Sequence, residues 1–418
     1  MSAQTGRRVD AVVRWFVPGR IEVLGKHTDY AGGRSLLAAV DRGVTVEARF
    51  ASGDEFIGRT DATPGEVVLM RTGEAPRSGH GASLPEGHWG HYLATVVDRL
   101  RSNFGALPPA EIEVSSDLPL ASGMSSSSAL ITAIALALVD LNSITDHPAW
   151  RENIATRIDL AGYVACIENG MSFGSLAGHR GVGTFGGSED HTGMLCGVTG
   201  HLGQFSFCPI REEAQIPFPD DLSFVVAVSG VAAEKTGAAR DLYNRASLST
   251  LEIVDRWNAQ TGRSDVVLAD AVASSPDAPD RLRALVAGDD RLAKRLHQFL
   301  EESDRIVPAA AAALAAGDLV GFGRLVDQSQ RLTTTDLGNQ VDETVALARL
   351  ARERGALAAS AFGAGFGGSV WALVPTVDAE EFAAGWLAEY RSQFPDAGAR
   401  ATTLVTRPGD PARPVAIG

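Results

Sequence analysis

The sequence predicts a two-domain α+β protein, with strands and helices mixed in both halves. Three observations carry this expectation. A chain of 418 residues exceeds what one hydrophobic core ordinarily serves. Segments alternating with a period of two are interspersed with Ala/Leu-rich segments of helical length along the whole chain. Between Glu212 and Asp221 the composition shifts to two prolines and four acidic residues, which reads as a boundary between residues 1–215 and 216–418.

In chain order, residues 10–16 and 20–24 read as short strands around Pro18-Gly19. Residues 36–50 read as an apolar strand pair, and 52–87 as loops. Residues 88–100 form an amphipathic helix that puts Trp89 and Tyr92 in the core. Residues 110–116 alternate as a strand and feed Gly123-Met124-Ser125-Ser126-Ser127-Ser128. Residues 129–138 follow without Gly or Pro and read as a buried helix. Residues 157–168 are helical, 170–187 are Gly-rich, and 193–207 return to a strand pattern. Past the boundary, 224–229 is an apolar strand. Residues 238–254, 281–317 (interrupted at Pro308), 319–331 and 342–354 are helical. A second glycine loop, 360–369, precedes the strand 370–374, a helix over 380–394 and a last strand over 400–405.

Composition limits the function. Apolar content of 45% and charged content of 21% fit a soluble globular protein. A formal charge of −14 argues against a nucleic-acid surface, though one cationic pocket and a metal still admit a nucleotide. No apolar stretch reaches membrane-spanning length without Gly or charge. Cys166, Cys196 and Cys208 are too few and unpatterned for a disulfide scaffold or zinc site, and read as reduced thiols of a cytoplasmic protein. Residues 1–10 are polar, with no apolar run after Arg7-Arg8, and do not read as a signal peptide.

Three stretches carry chemistry. The Gly/Ser run at 123–128 is either a serine-capped start to a core helix or an open helix N-terminus that binds phosphate. Free N–H groups and the dipole favour an anion there, and hydroxyls can bond phosphate or Mg²⁺. The loop 25–34 is dense in hydrogen-bonding side chains and contains Gly25, Gly32 and Gly33. It does not match a phosphate loop, because Gly19 is one residue too far from Gly25 and His27 follows Lys26. His27 and Asp29 either cap a turn or contact a polyhydroxylated ligand. Glu189 and Asp190 beside His191 form a solvated turn or supply a base or metal ligand.

Taken together, PGRIEVLGKHTDYAGG, LPLASGMSSSSAL and SAFGAGFGGSVWALV resemble, in order and spacing, the three signature motifs of the GHMP small-molecule kinases. The first is similar to the galactokinase pattern PGRVNLIGEHTDYNGG. Val228-Ser229-Gly230, Tyr243-Asn244 and the helical stretch from Arg295 to Phe322 extend the likeness over most of the chain. The resemblance implies an N-terminal domain similar to a ribosomal-protein domain and a ferredoxin-like C-terminal domain, with ATP and sugar meeting between them. It also implies roles. Gly123, Met124, Ser125, Ser126, Ser127 and Ser128 wrap the ATP phosphates. Ser127 and Glu168 contact Mg²⁺. Asp190 is the catalytic aspartate, and Arg20 stabilises it and the phosphates. Lys26, His27, Asp29, Tyr243 and Gly365 meet the sugar.

Two departures bear on the sugar. Lys26 stands where galactokinases carry a glutamate that reads the 6-hydroxyl, and an ammonium only donates hydrogen bonds. Either Lys26 favours a uronate, or its head reaches solvent and another group reads that position. The segment from Glu168 to Asp190 is also longer than in galactokinases, with GGSEDH in place of GIMDQ. The expected function is an ATP- and Mg²⁺-dependent kinase for the anomeric hydroxyl of a galactose-type sugar. A galacturonate kinase and a non-catalytic sugar-binding regulator are the alternatives. The expected partners are sugar and ATP, with no nucleic acid and no membrane, in a monomer or weak homo-oligomer.

Overall fold

The turn signals at Pro18-Gly19 and at Gly43 bend strands rather than end them. They face each other across one antiparallel ladder, where Pro18 pairs with Gly43 and the register shifts between Pro18 and Arg20. A Cβ on Gly43 would come within 2.2 Å of the Val17 carbonyl, so only glycine fits this bend. The two short strands expected over 10–24 are therefore one strand, β1 (Val12–Leu24), and the expected pair over 36–50 is one strand, β2 (Arg34–Phe50).

The structure is a computed structural model and describes residues 11–119, 123–231 and 237–417. The reading of residues 1–10 as a non-signal segment lies outside the described residues. The N-terminal half continues with β3 (Phe56–Thr60), β4 (Val68–Met70), β5 (Arg77–Ser78), α1 (Gly90–Phe104), β6 (Ala110–Ser116) and α2 (Ser126–Leu141). Next come α3 (Pro148–Asn153), α4 (Arg157–Asn169), α5 (Glu189–Cys196), β7 (His201–Ser206) and β8 (Arg211–Pro217). Short strands β3 to β5 replace the loops expected over 52–87. The strand expected over 193–207 is shortened because Gly193–Cys196 completes α5. That apolar run is too short for periodicity to tell strand from helix.

The C-terminal half contains β9 (Leu222–Val228), α6 (Gly237–Thr261), α7 (Leu268–Ala273), α8 (Ala278–Val286), α9 (Asp290–Phe299), α10 (Val307–Ala315), α11 (Leu319–Leu332) and α12 (Asp342–Glu353). It ends with β10 (Ala358–Phe362), β11 (Ser369–Pro375), α13 (Ala379–Gln393), α14 (Pro395–Gly398), β12 (Thr402–Thr406) and β13 (Arg413–Pro414). Strand β10 takes up Ser360–Phe362, which the sequence assigned to the glycine loop.

Two sheets organise the chain. A nine-stranded sheet runs β13-β1-β2-β6-β3-β4-β5, with β7 pairing β2 and β8. Bent β2 pairs β1 and also serves two further partners, β7 over Arg34–Leu37 and β6 over Val44–Phe50. The second sheet is four-stranded and antiparallel, β10-β11-β9-β12. Ile216 and Pro217 still pair with β7, so the first sheet extends past residue 215, and β13 returns the chain's end to β1.

Helix α2 is apolar on nearly all sides and is buried against β1, β2, α1 and α4. Alternation along β9 sends Phe224 and Val226 into the main core and Val225 and Ala227 into a second core under α12 and α13. A third cluster, built on Ile253, Trp257, Leu296 and Phe299 of α6 and α9, includes Ala31 and so backs the loop after β1. Pro308 sits in the first turn of α10. Before it, Leu300–Ile306 winds as a π-helix, which accommodates the hydrogen bond that proline cannot donate.

Candidate active site

The loop after β1 is held by one face of α9 and the π-helical turn. Glu302 accepts from Gly25 N at 2.8 Å, Gln298 Nε2 donates to the Lys26 carbonyl at 2.9 Å, and Arg295 donates to the His27 carbonyl. Residues 295, 298 and 302 share a helical face, so three successive backbone groups meet three successive side chains. This grip holds His27 in the left-handed region at φ 57°, a conformation rare outside glycine. The His27 ring then lies between Tyr30 Oη at 2.9 Å from Nδ1 and the Ala364 carbonyl at 3.1 Å from Nε2.

Arg20 joins two of the three loops. It stands just past the β1 bend, 3% exposed, with Nε 2.9 Å and Nη2 2.6 Å from Asp190 Oδ1. Its Nη1 donates to the Gly123 carbonyl at 2.7 Å. Gly123 has φ 74°, and a Cβ on Gly363 would lie 2.8 Å from its oxygen, so the third loop packs on the second through glycines. Helix α2 starts at Ser126, and its first turn faces the carboxylates. Ser128 Oγ lies 2.7 Å from Glu168 Oε2 and 3.2 Å from Asp190 Oδ2. The serine that reaches Glu168 is Ser128, the neighbour of the Ser127 expected at Mg²⁺. His191 Nε2 is 3.2 Å from Glu168 Oε2 in a buried setting.

A cleft brings these groups together. Its walls include Arg20, Glu22, His27, Asp29, Glu168, Glu189, Asp190, His191 and Tyr243, with Gly363 and Ala364 from the third loop. The Tyr243 ring, from α6, lies 5.0 Å from that of His27. Asp29 Oδ2 accepts from Glu189 N at 3.2 Å, and a Cβ on Gly187 would lie 2.4 Å from that oxygen. Glu189 and His191 are buried, so the acidic stretch is not a solvated turn.

Two expected sugar contacts lie elsewhere. Gly365 has its Cα against Asn339, where a Cβ would meet the side chain at 2.4 Å, and the cleft wall is made by its neighbours Gly363 and Ala364. Lys26 is not among the residues of the cleft wall, and it does not reach solvent. It is 1% exposed, and its Nζ donates to Ser329 Oγ at 3.3 Å, which in turn donates to Glu302 Oε1 at 2.8 Å. The charge of Lys26 also acts on Glu22. A buried ammonium among carboxylates is retained because removing it leaves them uncompensated. Lys26→Met is therefore expected to lower stability by about 3–5 kcal/mol, read from urea unfolding. A loss below about 1 kcal/mol, the range of exposed ion pairs, contradicts this placement.

The buried charges shift one another. Burial raises the Glu22 pKa to about 7, against the pull of Lys26 and Arg20. Burial, then the charges of Glu22 and Asp29, raises Glu189 well above the ordinary carboxyl range. Burial opposes the Arg20 charge, but Asp190 and Glu189 outweigh it and the guanidinium is more firmly charged than usual. Burial and the charge of Asp29 push the Tyr243 phenol up, so it stays a neutral donor.

Ser128, Glu168 and Asp190 offer only oxygen ligands, the hard donors that Mg²⁺ prefers, and one or two carboxylates suffice when phosphates and waters complete its shell. Glu22 and the three anchors Arg295, Gln298 and Glu302 escaped the sequence reading as site residues. An available signal for Glu22 was its place in the apolar strand Ile21-Glu22-Val23-Leu24, four residues before Lys26.

The chain matches the model for the GHMP kinases N terminal domain over residues 91–176 and that for GHMP kinases C terminal over 310–392. With its fold and three-loop cleft, the chain belongs to the GHMP kinase family. It is galactokinase-like within that family, as residues 3–50 match the galactokinase galactose-binding signature. It is 29% identical to a galactokinase of Chloroflexus aggregans over 378 residues, covering 89% of this chain and 86% of that one. It is 28% identical to a galactokinase of Mycobacterium bovis over 376 residues, covering 89% and 91%. The structure of Lactococcus lactis galactokinase complexed with galactose aligns over 97% of this chain and 95% of that one, with a TM-score of 0.79 and 24% identity.

Proposed function

We propose that this chain transfers the γ-phosphoryl group of ATP to the anomeric hydroxyl of a galactose-type monosaccharide. The observation that carries the proposal is Arg20, which ties the candidate catalytic carboxylate Asp190 to the Gly123 carbonyl of the phosphate loop. Transfer needs the phosphates positioned, their charge offset and the acceptor hydroxyl oriented. The N-terminus of α2 with Gly123–Ser128 binds the phosphates. Arg20 offsets charge where loop and carboxylate meet. Asp190 orients the sugar hydroxyl and accepts its proton, and His27, Asp29 and Tyr243 hold the ring. Glu168, with Ser127 or Ser128, would hold Mg²⁺, which when bound neutralises phosphate charge.

A uronate kinase loses its support, because Lys26, the group meant to attract the carboxylate, is not on the cleft wall. The complete set of Arg20, Asp190, Glu168 and the Gly/Ser loop favours an enzyme over a silent sugar-binding regulator. We further propose a cytoplasmic setting, on the ground that Cys166, Cys196 and Cys208 are free thiols. Incubation with MgATP and a panel of galactose, arabinose, fucose and galacturonate tests the reading. Galactose is expected to give the fastest ADP release. Sugar binding without ADP release points to the regulator instead.

A further inference from the structure

The carboxyl groups of Glu22 and Glu189 are not accounted for by phosphoryl transfer, although both line the cleft. They are 3% and 5% exposed. Their charges act on each other across the cleft wall. Ser35 Oγ donates to Glu189 Oε2 at 2.9 Å. Oε1 of each carboxyl meets no amide, hydroxyl or guanidinium donor within hydrogen-bond distance among the described residues, and Arg20 Nε is 4.0 Å from Glu189 Oε1. Buried acceptors left in this state are costly, and a ligand that brings donors offsets the cost.

We infer that Glu22 and Glu189 form a specificity-determining carboxyl pair that accepts hydrogen bonds from the hydroxyls of a neutral sugar and rejects an anionic one. The inference rests on the sugar-kinase reading above and names the substrate class of that same cleft. The charge balance of the walls supports it. Among the described residues, Glu22, Asp29, Glu168, Glu189 and Asp190 stand there against the guanidinium of Arg20, which is already engaged by Asp190 and Gly123. A sugar carboxylate entering this cleft meets like charge, whereas a hydroxyl finds acceptors. Lys26 serves the pair from behind. Its buried ammonium offsets the charge of Glu22 without presenting a donor to the substrate.

The test compares galactose with galacturonate in the wild type, in Glu22→Gln and in the charge-balanced double variant Glu22→Gln/Lys26→Met. The double variant guards against misfolding from a stranded Lys26, and circular dichroism checks the fold. The wild type is expected to prefer galactose by roughly a hundredfold or more in kcat/KM, as like charges in a confined site require. In the double variant the preference narrows by about tenfold or more, through a higher KM for galactose with kcat largely kept, because Asp190 is untouched. An unchanged ratio in a folded double variant overturns the inference and leaves the kinase reading intact, as does a wild type that prefers galacturonate. A protein that phosphorylates no sugar removes the kinase reading, and the inference with it.

Discussion

Asp190→Asn is expected to lower kcat for galactose by roughly 10²–10⁴-fold, the range for loss of a general base, with little change in sugar or ATP binding. The physical reason is the limited damage this substitution does. The asparagine carbonyl oxygen still accepts from Arg20 Nε and Nη2, so the link to the phosphate loop is preserved. What disappears is the negative charge and the proton acceptor. Galactose binding by calorimetry, measured beside turnover, separates the two. Near wild-type turnover contradicts the assignment and directs attention to Glu189 or His191, which flank Asp190.

Arg20→Lys is the second substitution with a large expected effect. Lysine keeps the positive charge but not the planar fork. Arg20 uses that fork to reach Asp190 Oδ1 with two nitrogens and the Gly123 carbonyl with the third, at 2.7 Å. One ammonium cannot satisfy both sides, so the carboxylate and the phosphate loop lose their common anchor. We expect kcat to fall by roughly 10²–10³-fold, as for removal of one preorganised electrostatic group, and KM for ATP to rise as well. That joint effect distinguishes Arg20 from Asp190. An ATP KM unchanged in Arg20→Lys contradicts the coupling of the pair to the phosphate loop.

The three loops were legible in the sequence because their demands are local. Close approach of backbone to backbone requires Gly123 and Gly363, and an open helix start requires small residues from Ser125 to Ser128. Strand content was partly legible. A bend inside a continuous ladder and a break between two strands carry the same Pro/Gly signal, and only the partner strand distinguishes them, as Pro18 facing Gly43 does here. Side-chain partners separated by hundreds of residues were not legible. Gly25 meets Glu302, Lys26 meets Ser329 and His27 meets Arg295, pairings that exist only once α9 and α11 pack behind the loop. Lys26 illustrates the consequence. Read by position it belonged to the substrate, but burial among Glu22, Ser329 and Glu302 makes it part of the support. Ser128 shows the same limit at finer scale, since four adjacent serines look alike until helix phase selects the one that faces Glu168.

Phosphoryl transfer to the anomeric hydroxyl is open to a direct check by phosphorus-31 and carbon-13 NMR of the product formed from galactose and MgATP. One phosphate on the anomeric carbon is expected, formed in step with ADP and lost in Asp190→Asn. A phosphate on any other hydroxyl, or ADP formed at the same rate without sugar, contradicts it.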